Sequence, residues 1–228
     1  RRVYFDLTGL APSPEEIDAY LRDAIGERDA RLIDRLLDSQ HFGERWGRHW
    51  LDVVGFVDVY GSDNDAAIIK NSPGKWQYRD YVIESFNADK PFDQFLTEQL
   101  AGDELYDWRN ADRFTPEMRE ALIATTFLLS ANDDTAENEL NTPDVRHHVL
   151  QRTAENVAGS LLAFTLQCAK CHDHKHEALS QDDYYRFRAI FEPALSLRNW
   201  QGSSRQIEYE TAQDRQDRQF LLRKQQEA

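Results

Sequence analysis

Apolar residues along this chain recur at helical spacing and hardly anywhere at strand spacing. Ile17, Tyr20 and Leu21, then Leu32, Ile33, Leu36 and Leu37, lie three and four residues apart. They predict two amphipathic helices whose apolar stripes are core. The first has a readable start: Ser13 caps, Pro14 takes the first helical position, and Glu16 completes a capping box. Arg1 to Leu10 reads as a short lead-in with alternating apolar residues. A third helix is predicted from His41 to about Phe56, with Trp46, Trp50 and Val53 on one face. Arg45, His49 and Asp52 form a neighbouring stripe of that helix.

Four further helices and a final one follow from the same signals. Lys75 to Asn87 carries aromatic residues at helical spacing, and Asp89 to about Leu100 ends at Gly102. Thr115-Pro116-Glu117 opens a helix reaching Leu129, and Pro143 to about Leu166 predicts a long one. Ser180-Gln-Asp-Asp183 caps a helix with Tyr184, Tyr185, Phe187, Ile190 and Phe191, which ends before Pro193. Asp58 to Gly74, rich in Gly, Asn, Asp and Ser, reads as a loop, as does polar Leu105 to Arg113. Ser130 to Pro143 is acidic and reads as a solvated loop, because its spacing does not match a helix-loop-helix calcium site. Arg205 to Ala228 is Gln- and Arg-rich and reads as a helix leaving the domain. The expected class is mostly α: one irregular helical domain over residues 1–195, with a C-terminal helical extension or linker over 196–228.

Composition narrows the function. The chain has 228 residues, 40% of them apolar, enough for one sizeable core or two small ones. Its net charge of −14 argues against a nucleic-acid or anionic-membrane surface. No run of about 18 apolar residues is present, so no membrane span is expected. The chain opens Arg1-Arg2-Val3 and is read as an excised part of a longer precursor.

The chemistry concentrates in Cys168-Ala-Lys-Cys-His172-Asp-His174-Lys-His176, which holds both cysteines and three of the seven histidines. Cys-x-x-Cys-His is the attachment motif of c-type haem. Two thiols at this spacing add across the two porphyrin vinyl groups, and the next residue then lies under the iron. Cys168 and Cys171 are thus the candidate thioether ligands and His172 the proximal iron ligand. Covalent haem attachment in bacteria takes place outside the cytoplasm, so the expected location is exported, periplasmic or at the cell surface. Three other readings compete. A disulfide or thioredoxin-like pair favours a helix N-terminus, whereas the apolar run Val157 to Leu166 puts these cysteines near the opposite end of a helix. A zinc site would use Cys168, Cys171, His174 and His176, but the usual longer gap between ligand pairs is missing. Inert thiols with solvated histidines complete the set.

A sixth ligand has one favoured candidate. Axial histidines on opposite haem faces need Cα atoms about 12 Å apart, and two residues of extended chain span only about 7 Å. His174 therefore suits a supporting hydrogen bond, an outer metal contact or a haem propionate, and His176 reaches only when fully extended. Met118 belongs with apolar helical neighbours, and His147 and His148 lie on the helix that leads into the motif. His49 is on a separate helix beside Trp46 and Trp50, flat side chains suited to a haem wall, so His49 is the expected sixth ligand. Bis-histidine iron favours electron transfer at a fairly low potential.

Several stretches occur together and in order: Arg1-Arg-Val-Tyr-Phe-Asp-Leu-Thr-Gly-Leu-Ala-Pro-Ser-Pro-Glu-Glu16, Phe42 to Asp52, Tyr78 to Ile83, Pro91 to Asp103, Thr165 to Lys175, and Ser180 to Tyr185. Over Arg1 to Phe191 the chain resembles the second planctomycete cytochrome domain. The resemblance implies a mostly helical domain in large exported proteins, commonly flanked by another cytochrome domain and a second uncharacterised domain. It implies no known reaction. The chain departs from the family pattern at His176-Glu177-Ala178, where an aromatic residue and Asp-Pro are usual, and in the loop after Asp58. The expected function is a covalent haem c domain in electron transfer or redox sensing, with a redox partner protein or neighbouring cytochrome domain. The alternatives are a haem enzyme with an open iron position and a zinc-stabilised interaction domain.

Overall fold

Five helix starts are fixed by one device. The side chains of Ser13, Ser39, Thr115, Thr142 and Ser180 each accept a backbone amide of the first turn. Pro14, Pro116 and Pro143 follow three of these caps, where their missing N–H costs nothing. The computed structural model describes residues 1–60, 70–130, 133–136 and 140–201, with 216, 223 and 224. Most of the extension expected over 196–228 lies outside the described residues, although Leu197 and Trp200 pack against the core.

The fold is mostly α. In order it runs α1 (Arg2–Thr8), α2 (Pro14–Arg22), α3 (Arg28–Leu37), α4 (Gln40–Val53), β1 (Val59–Tyr60), β2 (Lys70–Asn71), α5 (Lys75–Asn87) and α6 (Phe92–Ala101). Then come α7 (Pro116–Ala124), continued by a 3-10 turn at Thr125–Leu129, a second such turn at Asp134–Ala136, and α8 (Pro143–Leu161). A third 3-10 turn, Leu166–Lys170, precedes α9 (Gln181–Ile190).

Four expectations change. The lead-in is a helix: Tyr4 and Thr8 are buried at helical spacing, and Gly9 closes α1 at φ 72° with its N–H on the Phe5 carbonyl. The alternation of Val3, Phe5 and Leu7 concealed this. The loop after Asp58 contains a minimal antiparallel pair, Val59 opposite Asn71 and Tyr60 opposite Lys70, and residues 61–69 lie outside the described residues. The acidic segment after Ser130 is not wholly solvated, since Asp133 and Thr135 are buried and Thr135 donates its amide and hydroxyl to Asp133 Oδ1. Burial also pushes the Lys75 ammonium down to about 8, against the pull of the Asp133 and Asp58 carboxylates. Finally, α8 stops at Leu161 rather than Leu166. Ala163 turns the chain at φ 56°, and the amides of Leu162 and Phe164 both donate to the Ala158 carbonyl.

The core forms where α4 and α5 meet α6, the α7 segment and α8. α4 and α5 approach closely at Gly43 and Gly47. A methyl on Gly43 would strike the Ile83 carbonyl and stand 2.6 Å from the Asn87 side chain. Asn87 stitches the same crossing: its Oδ1 accepts the Gly43 amide at 2.7 Å and its Nδ2 donates to the Gln40 carbonyl. Deeper in, Gln99 is fully buried. Its Oε1 accepts the Trp50 indole N–H at 3.1 Å and the Tyr78 hydroxyl at 2.5 Å, and its amide donates to the Phe95 carbonyl. Burial drives the Tyr78 phenol well above its ordinary value, so it stays a donor.

Beside this triad lies a charged cluster. Glu98 accepts from Tyr81 at 2.7 Å, Lys90 at 2.6 Å and Gln94 at 2.7 Å. Burial opposes its charge, but the Lys90, Tyr81 and Gln94 bonds prevail and hold the carboxyl below its ordinary value. A carboxylate held low stabilises the fold above the unfolded pKa and loses that contribution as pH falls through the folded value. Glu98→Gln should lower unfolding free energy by roughly 3 kcal/mol at neutral pH. The gap to wild type should narrow in acid, as chemical denaturation at pH 7 and pH 3.5 would show. Equal losses at both pH values would contradict the charged assignment.

Candidate functional site

The motif leaves the bundle through a short sequence of local choices. α8 ends at Leu161, the left-handed Ala163 redirects the chain, and Leu166–Lys170 forms a single 3-10 turn. That turn packs on α8 and α9 through Leu166 and Ala169, which join Ala158 and Tyr184 in a small second cluster. With Leu166 and Ala169 facing in, Cys168 and Cys171 face out, and both thiols are free and exposed. Neither lies at an α-helix N-terminus, so the setting that activates a thioredoxin-like thiol is missing.

α9 clamps the turn from the other side. Gln181 Nε2 and the Tyr185 hydroxyl both donate to the Lys170 carbonyl, at 3.0 and 3.3 Å. Asp173 Oδ1 accepts the Gln181 amide at 2.8 Å. Below, the Tyr184 hydroxyl donates to Glu155 at 3.2 Å, and burial with the Glu155 charge raises the Tyr184 phenol above its ordinary value.

His172 is exposed, and its Nδ1 lies 2.7 Å from the Asp173 carbonyl oxygen. A carbonyl only accepts, so Nδ1 carries a proton, and in the neutral ring Nε2 keeps its lone pair. This is the arrangement a metal-binding imidazole needs. His174 Nδ1 instead accepts from the amides of Glu177 at 2.9 Å and His176 at 3.3 Å. Among the described residues no three His, Cys, Asp or Glu side chains converge as a metal-ion site, so the possible zinc set of Cys168, Cys171, His174 and His176 is not assembled here. A haem needs no such cluster, because it brings four nitrogens of its own. Two exposed thiols, a correctly oriented imidazole and the exposed apolar Leu162 and Phe164 just upstream fit that group.

The chain over residues 1–195 matches the family model PSCyt2, described as a protein of unknown function (DUF1549). The chain belongs to the PSCyt2 family. No curated protein matches, and no solved structure does. In this PSCyt2 chain His49 is exposed on α4, its ring edge-on to Trp46 at 5.6 Å. Trp46 is itself 40% exposed, whereas Trp50 is buried in the core with its indole bonded to Tyr78 and Gln99. α4 packs on α1, α3 and α5, and no hydrogen bond or ring contact joins His49 to His172. His147 faces Arg188 of α9 at 3.3 Å, and Met118 is half-buried.

Sequence reasoning passed over Asp173, Gln181 and Tyr185, which lock the motif to α9. The signal available was the position of Gln181, directly after a helix-capping serine and ten residues beyond Cys171. Exposure of both thiols has a direct test. Reduced, haem-free protein should take up two alkyl groups from iodoacetamide under native conditions, one at each free cysteine. Intact mass would show this, and protection of either thiol until denaturant is added would contradict the exposed turn.

Proposed function

We propose that this chain is a covalent c-type haem-binding domain acting in electron transfer or redox sensing within a larger exported protein. The observation that carries the reading is His172. Its Nδ1 is tied to the Asp173 carbonyl and its Nε2 is bare, directly after two exposed free thiols. Cys168 and Cys171 would form the thioethers, and His172 would ligate the iron. Bound haem would supply a one-electron iron centre. The chain's part is to hold and orient it. Asp173 fixes the imidazole tautomer while its own carboxylate anchors the turn to α9. Residues 1–195 are the haem domain on this reading, and the residues beyond form an extension. A neighbouring cytochrome domain or a redox protein is the electron partner, and the location is periplasmic or at the cell surface. No helix among the described residues is long and apolar enough to cross a membrane.

A second reading, a haem enzyme with an open iron position, has one observation in its favour: α4, which carries His49, packs on α1, α3 and α5, whereas the turn that carries the motif packs on α8 and α9. The two part on the spin state. Protein matured in an export-competent host should show a Soret band that survives acid-acetone extraction. Low-spin iron that turns high-spin in His49→Ala, with haem retained, supports electron transfer through a His49–His172 pair. High-spin iron in the wild-type protein supports the open site. A chain that matures with no Soret band refutes both.

A further inference from the structure

We infer that His174 is a fixed hydrogen-bond donor to a carboxylate of the group held at Cys168, Cys171 and His172, and not a metal ligand. This rests on the haem reading above and adds to it the residue that holds the haem's acidic side.

The inference follows from proton bookkeeping. Backbone amides only donate, and two of them, from Glu177 and His176, point at His174 Nδ1. That nitrogen must present its lone pair. In the neutral ring the single proton is then on Nε2. One nitrogen is occupied by amides and the other carries hydrogen, so neither is bare for a metal. His172, two residues earlier, has the opposite tautomer, with Nδ1 protonated on a carbonyl. The two histidines are set by their loop for opposite tasks, one to ligate and one to donate.

The ring is also held in place. The His174 amide donates to the Leu179 carbonyl at 2.8 Å, the Leu179 amide to the Glu177 carbonyl at 2.8 Å, and Asp173 binds the first residue of α9. His174 is half-buried, unlike the exposed His172 and His176, and its Nε2–H has no acceptor among the described residues. A donor partly withdrawn from water gains from an acceptor, and an ionised one gives the stronger bond. The ionised acceptors of a c-type haem are its propionates. Asp173 and Glu177 beside this position make an added carboxylate unfavourable unless a donor meets it.

One substitution separates this role from mere loop building. In His174→Asn, the amide oxygen can take the place of Nδ1 in accepting the two backbone amides, as Asn does in turns. It leaves no donor where Nε2–H stood. Three readouts follow. In haem-free, nitrogen-15-labelled protein at neutral pH, His174 should show the Nε2–H tautomer, and an Nδ1–H tautomer overturns the inference. In haem-loaded wild-type protein, the Nε2 proton should exchange with solvent more slowly than in the haem-free form, and unchanged fast exchange overturns it. In haem-loaded His174→Asn, the propionate bands of the resonance Raman spectrum should shift while intact mass still shows one haem. Attached haem with wild-type propionate bands would leave His174 only a loop residue and overturn the inference alone. A wild-type mass without haem would overturn the haem reading and this inference together.

Discussion

A single buried amide ties the bundle together. Gln99 on α6 accepts from Trp50 on α4 and Tyr78 on α5, while its own N–H satisfies a carbonyl on its own helix. A half-satisfied polar group at zero exposure would cost about 1–3 kcal/mol, so only one relative placement of these three helices is favourable. Gly43 and Gly47 allow that placement by letting α4 and α5 close to backbone contact. Apolar packing around the triad, including Val82, Phe95 and Phe127, then gives the core its bulk. Trp50 belongs to this structural role. Its indole faces the centre of the bundle, and the exposed edge of α4 is formed by Trp46 and His49.

The candidate site inherits its position from that frame. α8 lies against the core through Leu150, Ala154 and Val157, so the place where it ends decides where the motif emerges. The left-handed Ala163 and the brief 3-10 turn convert a buried helix into an exposed loop within ten residues. Leu166 and Ala169 point inward, and the residues between and after them, Cys168, Cys171 and His172, are left facing solvent. α9 completes the arrangement by accepting the loop at its N-terminus through Asp173 and Gln181.

Much of this could be read from residue order, for identifiable reasons. Helix caps are local, so Ser13, Thr115 and Ser180 declared their helices without tertiary information. The Cys-x-x-Cys-His spacing is covalent chemistry and needs no fold to be recognised. What failed to show was non-local. α1 is stabilised by burying Tyr4 against the bundle, and nothing within ten residues of the N-terminus announces that. Asp133 is buried, and its charge acts on Lys75 across more than fifty residues of chain. The end of α8 depends on an alanine in a conformation that alanine seldom takes, so no glycine marked it. The opposed tautomers of His172 and His174 are likewise a property of backbone amides and carbonyls, which the residue types do not display.

The exposed turn, the bare Nε2 of His172 and the free thiols support one proposal, that this surface is where a haem would be bonded. Trypsin supplies the most direct measurement, because Lys170 lies between the two cysteines. Cleavage there divides the motif into one peptide ending at Lys170 and another beginning at Cys171. In matured protein the two peptides should travel as one species, heavier than their sum by one haem, and should stay joined after reduction. Two separate peptides whose thiols accept an alkylating reagent would contradict the account.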